Sequence, residues 1–354
     1  MNIHDILEQL VVAEGSDIHI VVGSPPMTRI HGELKPVPGA PVLNAEQSEA
    51  LIIPLLTQEQ ADYVRVNKEL DLGYQYLDKG RFRVNVYHAQ GSMAAALRLI
   101  PTRIKTVDEL QLPSIFHDFT KFNQGLILIT GPTGEGKSTS LAALIDEINT
   151  SRAEHIVTIE DPIEFLYQPK KSIISQREVN HDTHGWEVAL KSVLREDPNI
   201  VLIGEMRDYE TIAAAITIAE TGHLVFATLH TATAAQTIDR IIDVFPGHQQ
   251  GQIRQQLAAT VKVIASQRLL PNTSGGRVAA LEIMVANPAI RNLIREAKTH
   301  QIDNVIQTSA DVGMMLMESN LVTLINQGII TAEVAKQSAF RPEAMERLLG
   351  SSTL

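Results

Sequence analysis

The sequence predicts a two-domain chain, a small α+β module followed by a larger α/β domain built on a largely parallel sheet. Three observations carry this. From LILIT at 126–130 onward, short apolar runs alternate with helix-periodic stretches, the pattern of strands joined by crossover helices. Before residue 100, LDLGYQYL and RFRVNVYHA show the two-residue alternation of half-buried strands. Between these regions, 101–120 carries Pro101 and Pro113 and no clean period, which reads as a linker or hinge. The length of 354 residues suits two domains at about 150 residues each.

In the 1–100 module, Ile3, Ile6, Leu7, Leu10 and Val11 fall at helical spacing, with Gly15 as a stop. IHIVVG at 18–23 reads as a strand, a Pro- and Gly-punctuated passage follows to Pro41, and EQSEALIIPLL at 46–56 resumes a helix that Pro54 interrupts. LDLGYQYL and RFRVNVYHA are strands joined by a turn at Asp78 to Gly80. In the second, Phe82, Val84 and Val86 face the core, so Arg81, Arg83, Asn85 and Tyr87 face away from it. AALRLI at 95–100 closes the module's sheet.

Over 121–287 the elements come in βα order. LILIT is a buried strand and SLAALIDEINT a helix; HIVTIE is a strand, and GWEVALKSVLRE a helix that Trp186 begins as a packing anchor. NIVLIGE, ETIAAAITIAET and HLVFATLH then read as strand, helix and strand, and GGRVAALEIMV supplies a later strand, read as parallel or antiparallel. The region 288–354 is mostly helical, with Met314, Met315 and Met317 as core filler and SSTL as a frayed tail.

Composition limits the functions available. Hydrophobic residues make up 44%, which excludes a low-hydrophobicity disordered chain. A net charge of −11, with no interleaved aromatic and basic tract, disfavours nucleic acid as a partner. With no cysteine there are no disulfides, thiolate nucleophiles or Cys-bearing zinc sites, which fits a reducing compartment. The start lacks a basic region and apolar run, and no apolar stretch of about 18 residues occurs, so the reading is a soluble cytoplasmic protein whose membrane association comes through partners.

The strongest motif is GPTGEGKS, Gly131 to Ser138, which satisfies G-x-x-x-x-G-K-S between a strand and a helix. In such a loop Gly131, Pro132, Thr133, Gly134, Glu135 and Gly136 wrap phosphate with backbone amides. Lys137 neutralises β and γ oxygens, Ser138 ligates Mg²⁺, and Thr139 lies beside the α-phosphate. The loop therefore predicts ATP and Mg²⁺ as ligands; no N-K-x-D guanine-reading motif accompanies it. Glu135 is out of place, since a carboxylate beside phosphate repels it, and its side chain is expected to face outward.

Carboxylates follow two strands. Glu205 ends NIVLIGE, where it meets Mg²⁺ through water, and Glu160, Asp161 and Glu164 cluster after HIVTIE; a solvated acidic loop is the alternative for the cluster. The residues alone do not separate Glu164 from Glu205 as the water activator. His230 closes the strand HLVFATLH and His223 begins it, and either is a γ-phosphate sensor or a satisfied structural histidine. His181 and His184 read as loop residues.

GPTGEGKSTS at 131–140, TIEDPIEF at 158–165, LIGEMRD at 202–208 and TGHLVFATLHT at 221–231 resemble the secretion ATPase superfamily of type IV pilus and type II secretion systems. The resemblance covers nearly the whole chain, and AIRNLIRE at 289–296 is similar to the signature of its retraction subgroup. It implies a PAS-like domain at 1–100 and a RecA-like P-loop ATPase core at 121–287, in a ring-shaped homohexamer. Carried onto matching residues, it makes Glu164 the catalytic glutamate, Glu205 the magnesium residue and His230 the γ-phosphate contact, while Arg81 and Arg83 reach the nucleotide of an adjacent subunit. The implied activity is ATP hydrolysis that powers pilus retraction, meaning pilin removal and twitching motility, through an inner-membrane pilus platform protein at the membrane's cytoplasmic face. Extension or type II secretion ATPases are the nearest alternatives, and a nucleotide-controlled scaffold without turnover is a further one. Many extension and secretion relatives carry a four-cysteine zinc module, which this chain cannot build. Glu135 departs from the serine more usual in this loop.

Overall fold

A computed structural model describes residues 2–351 other than 14, 31, 78, 101 and 102. Part of the expected turn at Asp78, the first two linker residues and most of the SSTL tail lie outside these. Contacts divide the chain into two units: Met1–Arg103 with Pro162–Leu166, and Ile104–Asp161 with Tyr167–Leu354.

The smaller unit is an antiparallel sheet with three helices. Its elements are α1 (Ile3–Val12), β1 (Asp17–Ile20), β2 (Met27–Ile30), β3 (Glu33–Pro36), α2 (Ala45–Ile52), α3 (Gln58–Asn67), β4 (Glu69–Tyr76), β5 (Gly80–Ala89) and β6 (Ser92–Ile100). The six strands run in the order β3-β2-β1-β6-β5-β4. Each helix starts on a capping box, from Asn2, Asn44 and Thr57, because these side chains satisfy amides that the first turn leaves without partners. The helical spacing in α1 buries Ile3, Ile6, Leu7 and Leu10, and Pro54 sits in a 3₁₀ turn that ends α2. On β5, Phe82, Val84 and Val86 are fully buried, whereas Arg81 is half-buried and Arg83 exposed, as the alternation requires. The β2–β3 hairpin and α3 add to the elements read from sequence.

The larger unit carries α4 (Phe116–Phe119), β7 (Gly125–Thr130), α5 (Lys137–Ser151), β8 (His155–Glu160), β9 (Ile173–Glu178), α6 (Trp186–Val193), β10 (Ile200–Ile203), α7 (Tyr209–Glu220), β11 (Leu224–Leu229), α8 (Ala234–Asp243), α9 (Gly247–Thr260), β12 (Val261–Pro271), β13 (Arg277–Val285), α10 (Pro288–Arg295), α11 (Ile302–Gln307), α12 (Met317–Asn326), α13 (Ala332–Ser338) and α14 (Pro342–Ser351). The sheet order is β13-β12-β7-β11-β10-β8-β9, parallel throughout except for β12 against β13. Such a sheet is buried on both faces, and β7, β10 and β11 are buried at every residue. Leu126 and Leu128 join one core with α6, α7 and α9, while the alternate residues Ile127 and Ile129 are equally buried on the opposite face. Trp186 starts α6 and packs on that core, as its expected anchor role requires.

A separate cluster of Leu270, Val278, Met317, Leu321 and Met345 joins the ends of β12 and β13 to the C-terminal helices. Met314 and Met317 are buried. Among the described residues, no helix is long and apolar enough to cross a membrane.

Candidate active site

The parallel register brings the C-terminal ends of β7, β11 and β10 together. Thr130 pairs with Leu229, and Ile203 with Ala227. The chain leaving β7 is the GPTGEGKS loop, and the chain leaving β10 and β11 carries Glu205 and His230. Ligands bind at this edge of a parallel sheet because loops and helix N-termini converge there.

Two features shape the loop for an anion. Gly131 has φ of 138°, and a Cβ there would lie 2.3 Å from the Gln267 carbonyl oxygen, so no other residue fits so close to β12. Helix α5 then begins at Gly136 without a side-chain cap and without an acidic residue in its first turn. Its leading amides and the positive end of its dipole are left to a ligand, in contrast to α7, which the Asp208 side chain caps. Ser138 and Thr139 lie in this first turn, both half-buried.

Lys137 is buried, and its ammonium donates to the carbonyl oxygens of Gly131 at 2.7 Å and Pro132 at 2.9 Å. The same nitrogen lies 3.4 Å from His230 Nδ1, which Thr133 Oγ1 also approaches at 3.4 Å. An ammonium only donates, so Nδ1 accepts and the ring proton sits on Nε2. Nε2 faces Glu205 Oε1 at 2.7 Å, and Arg207 holds the other carboxylate oxygen at 2.8 Å. His230 thus connects the phosphate loop to the carboxylate after β10. Burial acts to raise the Glu205 pKa, but the hydrogen bonds from Arg207 and His230 and the charge of Arg207 outweigh it and hold the carboxyl below its ordinary range.

Glu135 is turned away from the loop's interior, but toward a strand and not toward solvent: its carboxylate accepts the backbone N–H of Leu269 on β12. Gln267 binds the Glu135 carbonyl at 2.7 Å and accepts from Ser140 Oγ at 2.8 Å. Sequence reasoning missed Gln267, Leu269 and Arg207. Arg207 had a signal, a cation two residues past Glu205; the other two stand more than 130 residues from the loop with no motif around them.

The remaining expected residues sit elsewhere. Glu164 lies in Pro162–Leu166, which belongs with Arg81 and Arg83 to the smaller unit. Glu160 is buried and accepts from Thr158 Oγ1 at 2.7 Å, a satisfied position at the end of β8. His223 closes the end of α7, with Nδ1 at 3.1 Å from both Thr221 Oγ1 and the Ile218 carbonyl. At strand rise it stands about 20 Å from His230, at the opposite end of β11. His181 pairs with the adjacent Asp182.

The donor set suits Mg²⁺. The Ser138 hydroxyl and Glu205 carboxylate would offer hard oxygen donors, and this ion takes few protein ligands because phosphate oxygens and water complete its shell.

The family model described as "Type II/IV secretion system protein" matches residues 2–275. The chain belongs to this secretion family. Within it, the chain is 44% identical over 343 residues to the type IV pilus retractation ATPase PilT of Pseudomonas aeruginosa, covering 97% of this chain and 99% of that protein. It is 46% identical over 321 residues to a twitching motility protein of Neisseria gonorrhoeae, covering 90% and 86%. The crystal structure of the pilus retraction motor PilT and bound ADP superposes with a TM-score of 0.92 at 43% identity, covering 98% of this chain and 99% of that one. The mixed α/β architecture with two sheets is therefore that of the secretion family's ATPases.

Proposed function

We propose that this chain is an ATP hydrolase that powers type IV pilus retraction, and hence pilin removal and twitching motility. The observation that carries the reading is near-full-length similarity to a pilus retraction ATPase, in a chain whose phosphate loop, Lys137, Glu205 and His230 stand together at one sheet edge.

ATP is the substrate. The loop amides of Gly131 to Gly136 and the first turn of α5 hold its phosphates, and Lys137 exchanges the Gly131 and Pro132 carbonyls for phosphate oxygens. Ser138 and Glu205 would hold Mg²⁺, which would supply positive charge against the phosphates. Glu164 accepts the proton of the attacking water. His230 links the lysine to Glu205 through its two ring nitrogens. Arg81 and Arg83 supply positive charge to the nucleotide of an adjacent subunit, where charge builds up on the transferred phosphoryl group.

The working assembly is a homohexamer at the cytoplasmic face of the inner membrane, acting on the pilus platform protein. Its parts are a PAS-like domain at 1–100, a hinge at 101–120, a RecA-like motor core at 121–287 and a helical region at 288–354.

Two variants test the chemistry. Lys137→Ala should abolish steady-state ATP turnover. Glu164→Gln should slow it by about 10²–10⁴-fold while nucleotide binding persists, the range for loss of a general base. Wild-type rates from both would reject the assignment.

A further inference from the structure

We propose that Glu135 is a positioning residue whose carboxylate takes the place of a missing strand beside β12 and so moors the phosphate loop in its binding shape. The inference rests on the nucleotide reading only in assigning a phosphate ligand to the loop.

The argument starts from the sheet. Strand β7 pairs with β12 up to Thr130 against Ser266 and stops there, while β12 continues to Pro271 with β13 on its far side. From Gln267 onward the near edge of β12 has lost its strand partner, and an edge amide without an acceptor is costly to bury. The loop fills the gap. Leu269 N–H donates to the Glu135 carboxylate, and Gln267 Nε2 donates to the Glu135 carbonyl at 2.7 Å. Gln267 Oε1 accepts from Ser140 Oγ at 2.8 Å, which extends the tie into α5. Gly136 lies just as close, since a Cβ there would meet Gln267 Nε2 at 3.0 Å and Leu269 Cδ1 at 3.1 Å. The turn between Gly131 and Lys137 is thus fastened to two positions of one strand, and the carboxylate supplies the charge-assisted bond.

This resolves the conflict of a negative charge beside a phosphate site. Repulsion weakens nucleotide binding, whereas a preformed loop strengthens it by removing the entropy of shaping it. If mooring dominates, truncation of the side chain costs affinity even though it removes a negative charge. Glutamine keeps a carbonyl acceptor at the same reach and should preserve the tie.

The test compares wild type, Glu135→Ala and Glu135→Gln as full-length chains. Three quantities are measured: affinity for a fluorescent ADP analogue, kcat and KM for ATP, and hydrogen exchange of the Leu269 amide. Glu135→Ala should raise Kd and KM about ten-fold, the cost of one hydrogen bond to a charged group, with kcat changed by less than about three-fold. Its Leu269 amide should exchange faster, while amides in the β12–β13 pairing keep their protection. Glu135→Gln should stay within about three-fold of wild type on every measure. Tighter ADP binding in both variants would make the carboxylate a repelling charge and overturn the proposal, as would unchanged affinity or unchanged Leu269 exchange in Glu135→Ala. Failure of the wild-type chain to bind or turn over nucleotide would instead reject the proposed function, and the amide exchange would still decide the mooring.

Discussion

Lys137, His230, Glu205 and Arg207 form a line of contacts from the phosphate loop to the edge of β10, and each link has one chemical sense. The ammonium donates to Nδ1, Nε2–H donates to the carboxylate, and the guanidinium donates to the other oxygen. Nδ1 faces two donors at 3.4 Å, Lys137 Nζ and Thr133 Oγ1, so both the lysine and the loop threonine connect to Glu205 through the histidine. The carboxylate's pKa shows which partner dominates. Burial raises it and the Arg207 hydrogen bond is the largest opposing cause. Removing Arg207 should therefore move the Glu205 pKa upward from below its ordinary 4.5. A carboxyl-carbon NMR titration of wild type and Arg207→Ala would read this directly, and an unmoved Glu205 would refute it. The sign for stability follows: a depressed folded pKa stabilises above the unfolded value, and the contribution is lost as pH falls through the folded one. At this scale the sequence was legible where chemistry repeats as a motif. It was not legible where a partner is distant, as for Glu135 and Leu269, because no local pattern marks a side chain bound to the backbone of a strand more than 130 residues away.

Among elements, the region hardest to read was the one that supports the site. Helix α9 ends at Thr260 and β12 begins at Val261, with no turn between them. Segmentation from sequence depends on Gly, Pro and capping residues as punctuation, and this junction has none. Helix α9 is also rich in Gln and shows little amphipathic contrast, which hides its period. The edge strand β9 is only partly buried and alternates weakly, so it too escaped notice. The β7, β8, β10 and β11 runs were legible because each is a short apolar stretch buried on both faces.

One tertiary tie joins several late elements. Arg341, just before α14, pairs with Glu282 of β13 at 3.0 Å, Glu318 of α12 at 2.9 Å and Asp303 of α11 at 2.7 Å. The side chain of Glu282 is fully buried, and its Oε1 accepts the Ala234 N–H at the start of α8, the helix that follows the His230 loop. Removing one partner of a buried ion pair leaves a charge without compensation. Arg341→Met should therefore lower stability by about 3–5 kcal/mol at neutral pH. Burial already raises the Glu282 pKa, against Arg341 and the Ala234 amide. Without the guanidinium it takes up a proton more readily, so the loss should be smaller at pH 5.5 than at 7.5. Urea unfolding at both values checks this, and an equal loss at both would place the defect elsewhere.

For the whole molecule, similarity and geometry point to the same activity from different directions. The similarity runs the length of the chain, and the site geometry explains why a strand, a glycine-rich loop and an uncapped helix should bind phosphate. AIRNLIRE fits the same division of labour. Ile290 and Ile294 are buried in the larger unit's hydrophobic core, Arg291 Nε donates to the Ala286 carbonyl at 3.2 Å, and Arg295 is exposed. The segment is a packed helix on its inner side, with the Arg295 cation exposed on its outer side.

The sharpest test of a retraction motor images pili in cells carrying the wild-type or the Lys137→Ala chain. A retraction motor deprived of turnover leaves long, persistent fibres on the variant cells and normal extension and withdrawal on the wild type. Variant cells that assemble no fibres would contradict retraction and make the chain an extension motor.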